Sequence, residues 1–229
     1  MELLTVNVGR PRIVDYTSTP GGVTGIDKRP AGGPVRLADP GGDEGSGVAG
    51  DTVSDGSNHG GTHQAVYAFA REDLDFWERE LGQPIANGTF GENLTTRGVD
   101  VNGALIGERW RIGGALLEVT SGRVPCRTFA GWLGESGLPE KGWLKRFTQQ
   151  AESGAYLRVI EPGEVRAGDE VTIAYRPDHG ITVSTAFRAC TIEQDLLPSL
   201  QVARDVLNPA VIEKIDKYLR RTSERQLSV

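Results

Sequence analysis

Ala115-Leu116-Leu117-Glu118-Val119-Thr120-Ser121-Gly122-Arg123-Val124-Pro125-Cys126-Arg127 decides how this chain is read. Ala115–Thr120 has the apolar continuity of a buried strand. Behind it stands a cysteine between two arginines, after a proline that fixes the backbone. Neighbouring guanidiniums favour the thiolate, the form that ligates soft metals and attacks electrophiles. A lone cysteine is more often a buried, inert apolar side chain. The two arginines, together with polar clusters upstream, turn the balance toward a functional Cys126.

Working outward, β-like segments recur at Leu3–Val8, Gln64–Phe69, Leu105–Ile112, Ala155–Ile160 and Glu170–Ala174. In the last, Val171, Ile173 and Tyr175 alternate with smaller or polar residues, which predicts a half-buried strand. Short strands among 31 glycines predict a sandwich or barrel. One helix interrupts them, Arg71–Leu81, with Leu74, Trp77 and Leu81 on one face, acidic residues in its first turn and Gly82 at its end. Ala38–Gly50 has almost nothing to bury and reads as a mobile surface loop, whereas Gly131–Gly142 carries Trp132 and Leu133 and should pack. After His179-Gly180 the pattern turns helical: Val183–Ala189, then Thr191–Val206 interrupted by Pro198, then a stripe of Val211, Ile212, Ile215, Tyr218 and Leu219 after Asn208-Pro209. The expectation is a β domain over 1–180 and a small helical tail over 181–229 that docks on it or on a second copy, so a homodimer is open.

The chain has 229 residues, 38% hydrophobic and 24% charged, enough for one substantial core. A formal charge of −6 argues against nucleic-acid or anionic-membrane partners and requires any anion site to be local. No apolar run approaches a membrane span and the first residues lack a signal-like pattern, so the expected compartment is the cytoplasm. Two cysteines make neither a disulfide framework nor an iron–sulfur ligand set. Cys190, in the helical tail, reads as structural.

Three polar clusters accompany Cys126. Thr24–Pro30 carries Lys28 and Arg29 in a turn-like segment. Asn58-His59-Gly60-Gly61-Thr62-His63 sets two imidazoles around a glycine pair, and Gly88–Thr96 is a loop whose glycines permit close backbone approach to a ligand. Each has an ordinary explanation: a solvated cation pair, a turn-capping histidine, a loop whose side chains satisfy its own backbone.

In order along the chain, Gly50-Asp51, His59-Gly60-Gly61, Ala65-Val66-Tyr67, Phe90-Gly91-Glu92-Asn93-Leu94-Thr95, Ile106-Gly107 and Arg123-Val124-Pro125-Cys126 resemble the MOSC family, homologous to the C-terminal domain of molybdenum cofactor sulfurases. The likeness is to its stand-alone bacterial branch with a three-helix tail. It implies a mostly antiparallel, barrel-like fold with some helix. It also implies a site for the pyranopterin molybdenum cofactor, with Cys126 ligating molybdenum or carrying sulfur. A family-level association with pyridoxal phosphate belongs to the same resemblance. Relatives are associated with reducing N-hydroxylated compounds. Carried over, Lys28, His59, Gly91, Glu92, Asn93, Arg123 and Cys126 occupy motif positions, with Cys126 and His59 in catalytic roles. His63 stands where the branch more often has an acidic residue, and the loop Ala38–Gly50 is long.

The residue types suit such a group. A thiolate is a soft donor for molybdenum, and Arg123 and Lys28 can neutralise a phosphate. Gly91-Glu92-Asn93 offers donors and acceptors to a pterin edge. His59 can pass a proton near neutrality. The chain has no glycine fingerprint for a nucleotide, so a reductase here needs a separate electron-donor protein. Two alternatives stand beside an oxidoreductase: a non-catalytic carrier using a Cys126 persulfide, and a zinc hydrolase built on His59, His63 and Cys126. His-Gly-Gly-Thr-His lacks the helical spacing that puts two rings on one face.

Overall fold

A computed structural model describes residues 1–54, 56 and 59–227 of the chain. Asn58, the first residue of the histidine cluster, lies outside the described residues. The strands are β1 (Glu2–Gly9), β2 (Arg12–Ile13), β3 (Val23–Thr24), β4 (Lys28–Pro30), β5 (Val35–Leu37), β6 (Val66–Ala70), β7 (Leu94–Arg97), β8 (Arg109–Ile112), β9 (Ala115–Gly122), β10 (Ala155–Glu161), β11 (Gly163–Val165) and β12 (Val171–Tyr175). The helices are α1 (Arg71–Leu81), α2 (Arg127–Glu135), α3 (Trp143–Gln150), α4 (Val183–Thr191) and α5 (Pro209–Leu227), with tighter turns at Pro20–Gly22, Thr62–Gln64 and Gln194–Ala203.

Eight strands form one sheet in the order β12-β8-β9-β10-β6-β7-β1-β4. Its pairs are antiparallel except β6 with β7. Two small pairs, β5–β11 and β2–β3, flank it. The expected barrel does not close. The ladder ends at β12 and β4, and the first residues of β1 reach β12 only through a bridge between Glu2 and Glu170 and backbone bonds such as Val171 N–H to Met1 O, 2.9 Å.

β6 explains the layering. All of Val66-Tyr67-Ala68-Phe69-Ala70 is buried, and its period of two sends alternate residues into different cores. Val66, Ala68 and Ala70 join an aliphatic core with Leu94, Leu117, Val119 and Leu157. Tyr67 and Phe69 join an aromatic one with Trp77, Phe90, Phe129, Trp143 and Phe147 under α1, α2 and α3. Phe90 sits at its centre, 5.2 Å from the rings of both Phe69 and Phe129 and edge-on to each. The tail shares the aliphatic core: Val183, Ala186, Leu197, Leu200, Val211 and Ile215 pack in the same cluster as the sheet.

Several expectations need correction. The sequence pointed to one helix among the strands, yet α2 and α3 are also helical. The spacings Phe129, Trp132, Leu133 and Trp143, Phe147 are those of one buried helix face, interrupted by Gly131, Gly134 and Gly137. The turn-like segment 24–30 ends in β4, paired with β1. The proposed loop 88–96 runs into β7. β12 is an edge strand, so its alternation does not bury a face: Val171 is buried, but Ile173 and Tyr175 are 40% and 52% exposed. The glycine-rich segment 38–50 is exposed at its tip and pinned at its ends, where Ala38 N–H bonds Gly47 O, Gly47 N–H bonds Ala65 O and Val48 is buried.

Candidate functional site

Because β6 and β7 are parallel, the segments that lead into them, ending at Ala65 and Asn93, lie at the same end of the sheet. β4 pairs with β1 beside them, and β9 leaves at Gly122 toward α2. This end holds a cleft open to solvent, with a volume of about 100 Å³. Lys28, His59, Gly91, Asn93, Arg123 and Cys126 line it together. Glu92 stands behind the cleft, fully buried, where Oε1 accepts from Gly88 N–H (2.5 Å) and Thr95 Oγ1 (2.8 Å). Burial, opposed by those donors, pushes its carboxyl up. Oε1 holds the loop, Oε2 is buried without a partner among the described residues, and the residue does not line the cleft. His63 is also away from the cleft: its carbonyl accepts from Thr120 Oγ1 and burial depresses its ring's basicity.

Cys126 is the N-cap of α2, in extended backbone just before the helix begins. Burial pushes its thiol up, but a hydrogen bond with His59, the Arg123 charge and the Phe129 amide overcome this and hold it at about 6. A helix N-terminus, a cation and an imidazole are three of the means by which proteins stabilise a thiolate. Arg123 is almost fully buried, its guanidinium 4.2 Å above the Phe129 ring and 5.1 Å from Tyr67, with Nη1 donating to Phe90 O. Gly91, at φ 74°, brings backbone against Ile26 and the Arg123 guanidinium; a Cβ there would lie 3.2 Å from the Ile26 side chain.

Sequence reasoning quoted Asp51 but gave it no role. Its side chain is fully buried and accepts from Lys28 Nζ (2.5 Å), Gly9 N–H (2.7 Å), Ser46 Oγ (2.8 Å) and Asn93 Nδ2 (3.0 Å). Asn93 in turn accepts from Tyr67 N–H at 3.1 Å. One carboxylate thus fixes the cleft's lysine and its amide. Tyr156 was missed as well. It comes from β10, lies 3.5 Å from His59 Nδ1, and packs 5.2 Å from the Tyr67 ring. Burial raises its hydroxyl to about 12, despite Arg123, so it is a neutral hydrogen-bonding partner. Nothing local in Ala155–Glu161 marks it; only its register beside β9 does.

The lining suits a polar anionic group. Cys126 stands with the buried basic side chains Lys28 and Arg123, and two polar atoms of lining residues, Gln64 Oε1 and Ser54 Oγ, are buried without a partner among the described residues. His59 and Cys126 line the cleft but His63 does not, so the three residues of the zinc reading are not brought together, and among the described residues no group of three or more histidine, cysteine, aspartate or glutamate side chains is placed to hold a metal.

The MOSC domain family model matches residues 55–172, the segment carrying His59, Gly91, Asn93, Arg123 and Cys126. The chain belongs to the MOSC family. This MOSC chain is 34% identical over 186 residues to YflK of Bacillus subtilis, covering 81% of the chain and 79% of that relative. It is 31% identical over 137 residues to a protein of Gibberella moniliformis named reductase, covering 58% of the chain and 23% of that much longer protein. Its fold resembles that of YiiM from Geobacillus stearothermophilus, with a TM-score of 0.74 at 23% identity over 94% of the chain and 97% of that structure. Among the described residues of the MOSC chain no helix is long and apolar enough to cross a membrane.

Proposed function

We propose that this MOSC chain is a molybdenum cofactor-dependent oxidoreductase that reduces N-hydroxylated small molecules, with Cys126 as the protein's metal ligand. The observation that carries this is geometric: Cys126 lines one cleft together with His59, Asn93 and the buried basic side chains Lys28 and Arg123, and the nearby His59 and Arg123 favour its thiolate. Family membership and the relative named reductase support it. Lys28 and Arg123 would meet the cofactor's phosphate, Asn93, Gln64 and the Gly91 backbone its polar ring edge, and Cys126 its metal. When bound, the cofactor supplies the metal centre that takes up oxygen and exchanges electrons. Conversion of R–NHOH to R–NH₂ and water consumes two electrons and two protons. His59 donates a proton toward the departing oxygen, and Tyr156, 3.5 Å from its Nδ1, orients the ring for that transfer. The electrons come from a separate donor protein. Lys28, the one lysine among the described residues lining the cleft, is tied to Asp51, so the cleft lends no support to the family's pyridoxal phosphate association.

The test is purification from a host that makes the cofactor, followed by metal analysis and turnover of an N-hydroxylated substrate with a reduced viologen. Wild type should carry molybdenum and turn over; Cys126→Ser, folded by circular dichroism, should do neither. A persulfide mass increment on Cys126 without molybdenum would replace the reductase by the sulfur carrier.

A further inference from the structure

Cys126, His59 and Tyr156 also line a second, larger cavity. Its volume is about 450 Å³, within the range of small-molecule sites, against about 100 Å³ for the cleft by the same measure, and both open to solvent. The two share Gln64 and Thr128 as well as those three residues. The wall of the larger chamber opposite the sheet comes from the helical tail: Phe187 and Cys190 of α4, Ala210, Val211 and Lys214 of α5. That tail lies beyond the segment the family model matches.

The lining is mixed: Pro125, Tyr156, Phe187 and Val211 give it an apolar, partly aromatic side, and Ser18, Gln64, Ser121, Thr128 and Asn208 a polar one. Arg127 and Lys214 are exposed cations on it, and no aspartate or glutamate is among its described lining residues. On a chain of net charge −6, two cations with no facing carboxylate form a local positive mouth. Among the described residues Lys214 Nζ donates to the Cys190 carbonyl at 3.1 Å and forms no ion pair.

We infer that this chamber is the substrate site, and that the helical tail selects N-hydroxylated aromatic compounds bearing an anionic group, the ring against Phe187 and Tyr156 and the anion at Lys214. The inference rests on the proposed reductase for its N-hydroxyl end and on the chamber alone for the rest. The N–OH group is directed to Cys126 and His59, and because Lys28 and Arg123 line the cleft but not the chamber, substrate and cofactor do not compete for the same cations.

Two variants at exposed tail positions test it in the full-length protein: Lys214→Glu, which reverses the mouth charge, and Ala210→Trp, which fills the chamber. Calorimetric titration uses 4-aminobenzoate as probe and aniline as its uncharged counterpart; neither needs cofactor or turnover. Wild type should bind 4-aminobenzoate at least tenfold more tightly than aniline. Lys214→Glu should weaken 4-aminobenzoate about tenfold and leave aniline unchanged, and Ala210→Trp should weaken both. The cofactor-loaded enzyme should then reduce 4-(hydroxyamino)benzoate with a higher kcat/KM than phenylhydroxylamine, a preference lost in Lys214→Glu while molybdenum content stays unchanged. Probe binding that follows this pattern without turnover of either compound would sink the reductase and keep the chamber. Equal binding of the two probes, or turnover indifferent to both substitutions, would overturn the inference with the reductase intact.

Discussion

Cys126 and Asp51 are the two side chains on which the cleft's charge depends. The thiol's folded value of about 6 lies below the ordinary cysteine range near 8.5. A depressed value means that the native state favours the thiolate. The stabilisation is complete above the unfolded value and is lost as pH falls through about 6. Alkylation of Cys126 by iodoacetamide should therefore reach half its maximal rate near pH 6, and the stability of wild type relative to Cys126→Ser should grow between about pH 6 and pH 9. A midpoint near 8.5 would remove the electrostatic account. Asp51→Asn keeps the shape but strands Lys28, 8% exposed, without its counter-ion. A loss of about 3–5 kcal/mol is expected from urea unfolding. Asp51 escaped notice because its partners at positions 9, 28 and 93 are distant in sequence. The cysteine was legible because arginine, proline and the preceding strand sit within a few residues of it.

At the scale of elements, the hairpin β2–β3 is a strap fastened to α2. Tyr16 OH donates to Glu135 Oε2 at 2.5 Å, Arg12 pairs with the same carboxylate, and Thr128 donates to Thr17 at 3.0 Å. The Tyr16 ring lies so close over Gly131 that a Cβ there would come within 2.4 Å of it. Since Thr17 and Thr19 line the cleft, the strap forms part of its rim. Glu135→Ala should cost under about 1 kcal/mol globally, because the carboxylate is partly exposed. It should still speed amide exchange at Val14, whose N–H bonds Gly22 O across the hairpin, severalfold by mass spectrometry. No change at Val14 would mean that the fastening does not hold the strap. Strands with continuous apolar runs, β6, β9 and β10, were readable because both of their faces are buried. β4 was not, since Lys28-Arg29-Pro30 owes its place to pairing with β1, and α2 was hidden by Gly131, which admits Tyr16, and Gly134, which lies against Glu140.

For the whole molecule, the tail and the sheet share one aliphatic core. Leu197, Leu200, Leu207 and Ile215 are each under 5% exposed in it, and each buried side chain of this size is worth about 1.5–3 kcal/mol. A chain ended at residue 180 should lose this packing, bind hydrophobic dyes and unfold without a cooperative transition; a sharp thermal transition at wild-type temperature would show that the sheet stands without it. The tail's stripe was visible in the sequence, but which sheet face it covers was not, because that depends on where β9 lies within the sheet.

The parallel pair β6–β7 separates the molecule's two ends by function. The segments feeding both strands converge on the cleft, whereas the exits at Ala70 and Gly98 emerge at the opposite pole, and Gly98 is exposed. A biosensor immobilised through an insertion after Gly98 would present its ligand mouth outward, free of the support to which it is tethered.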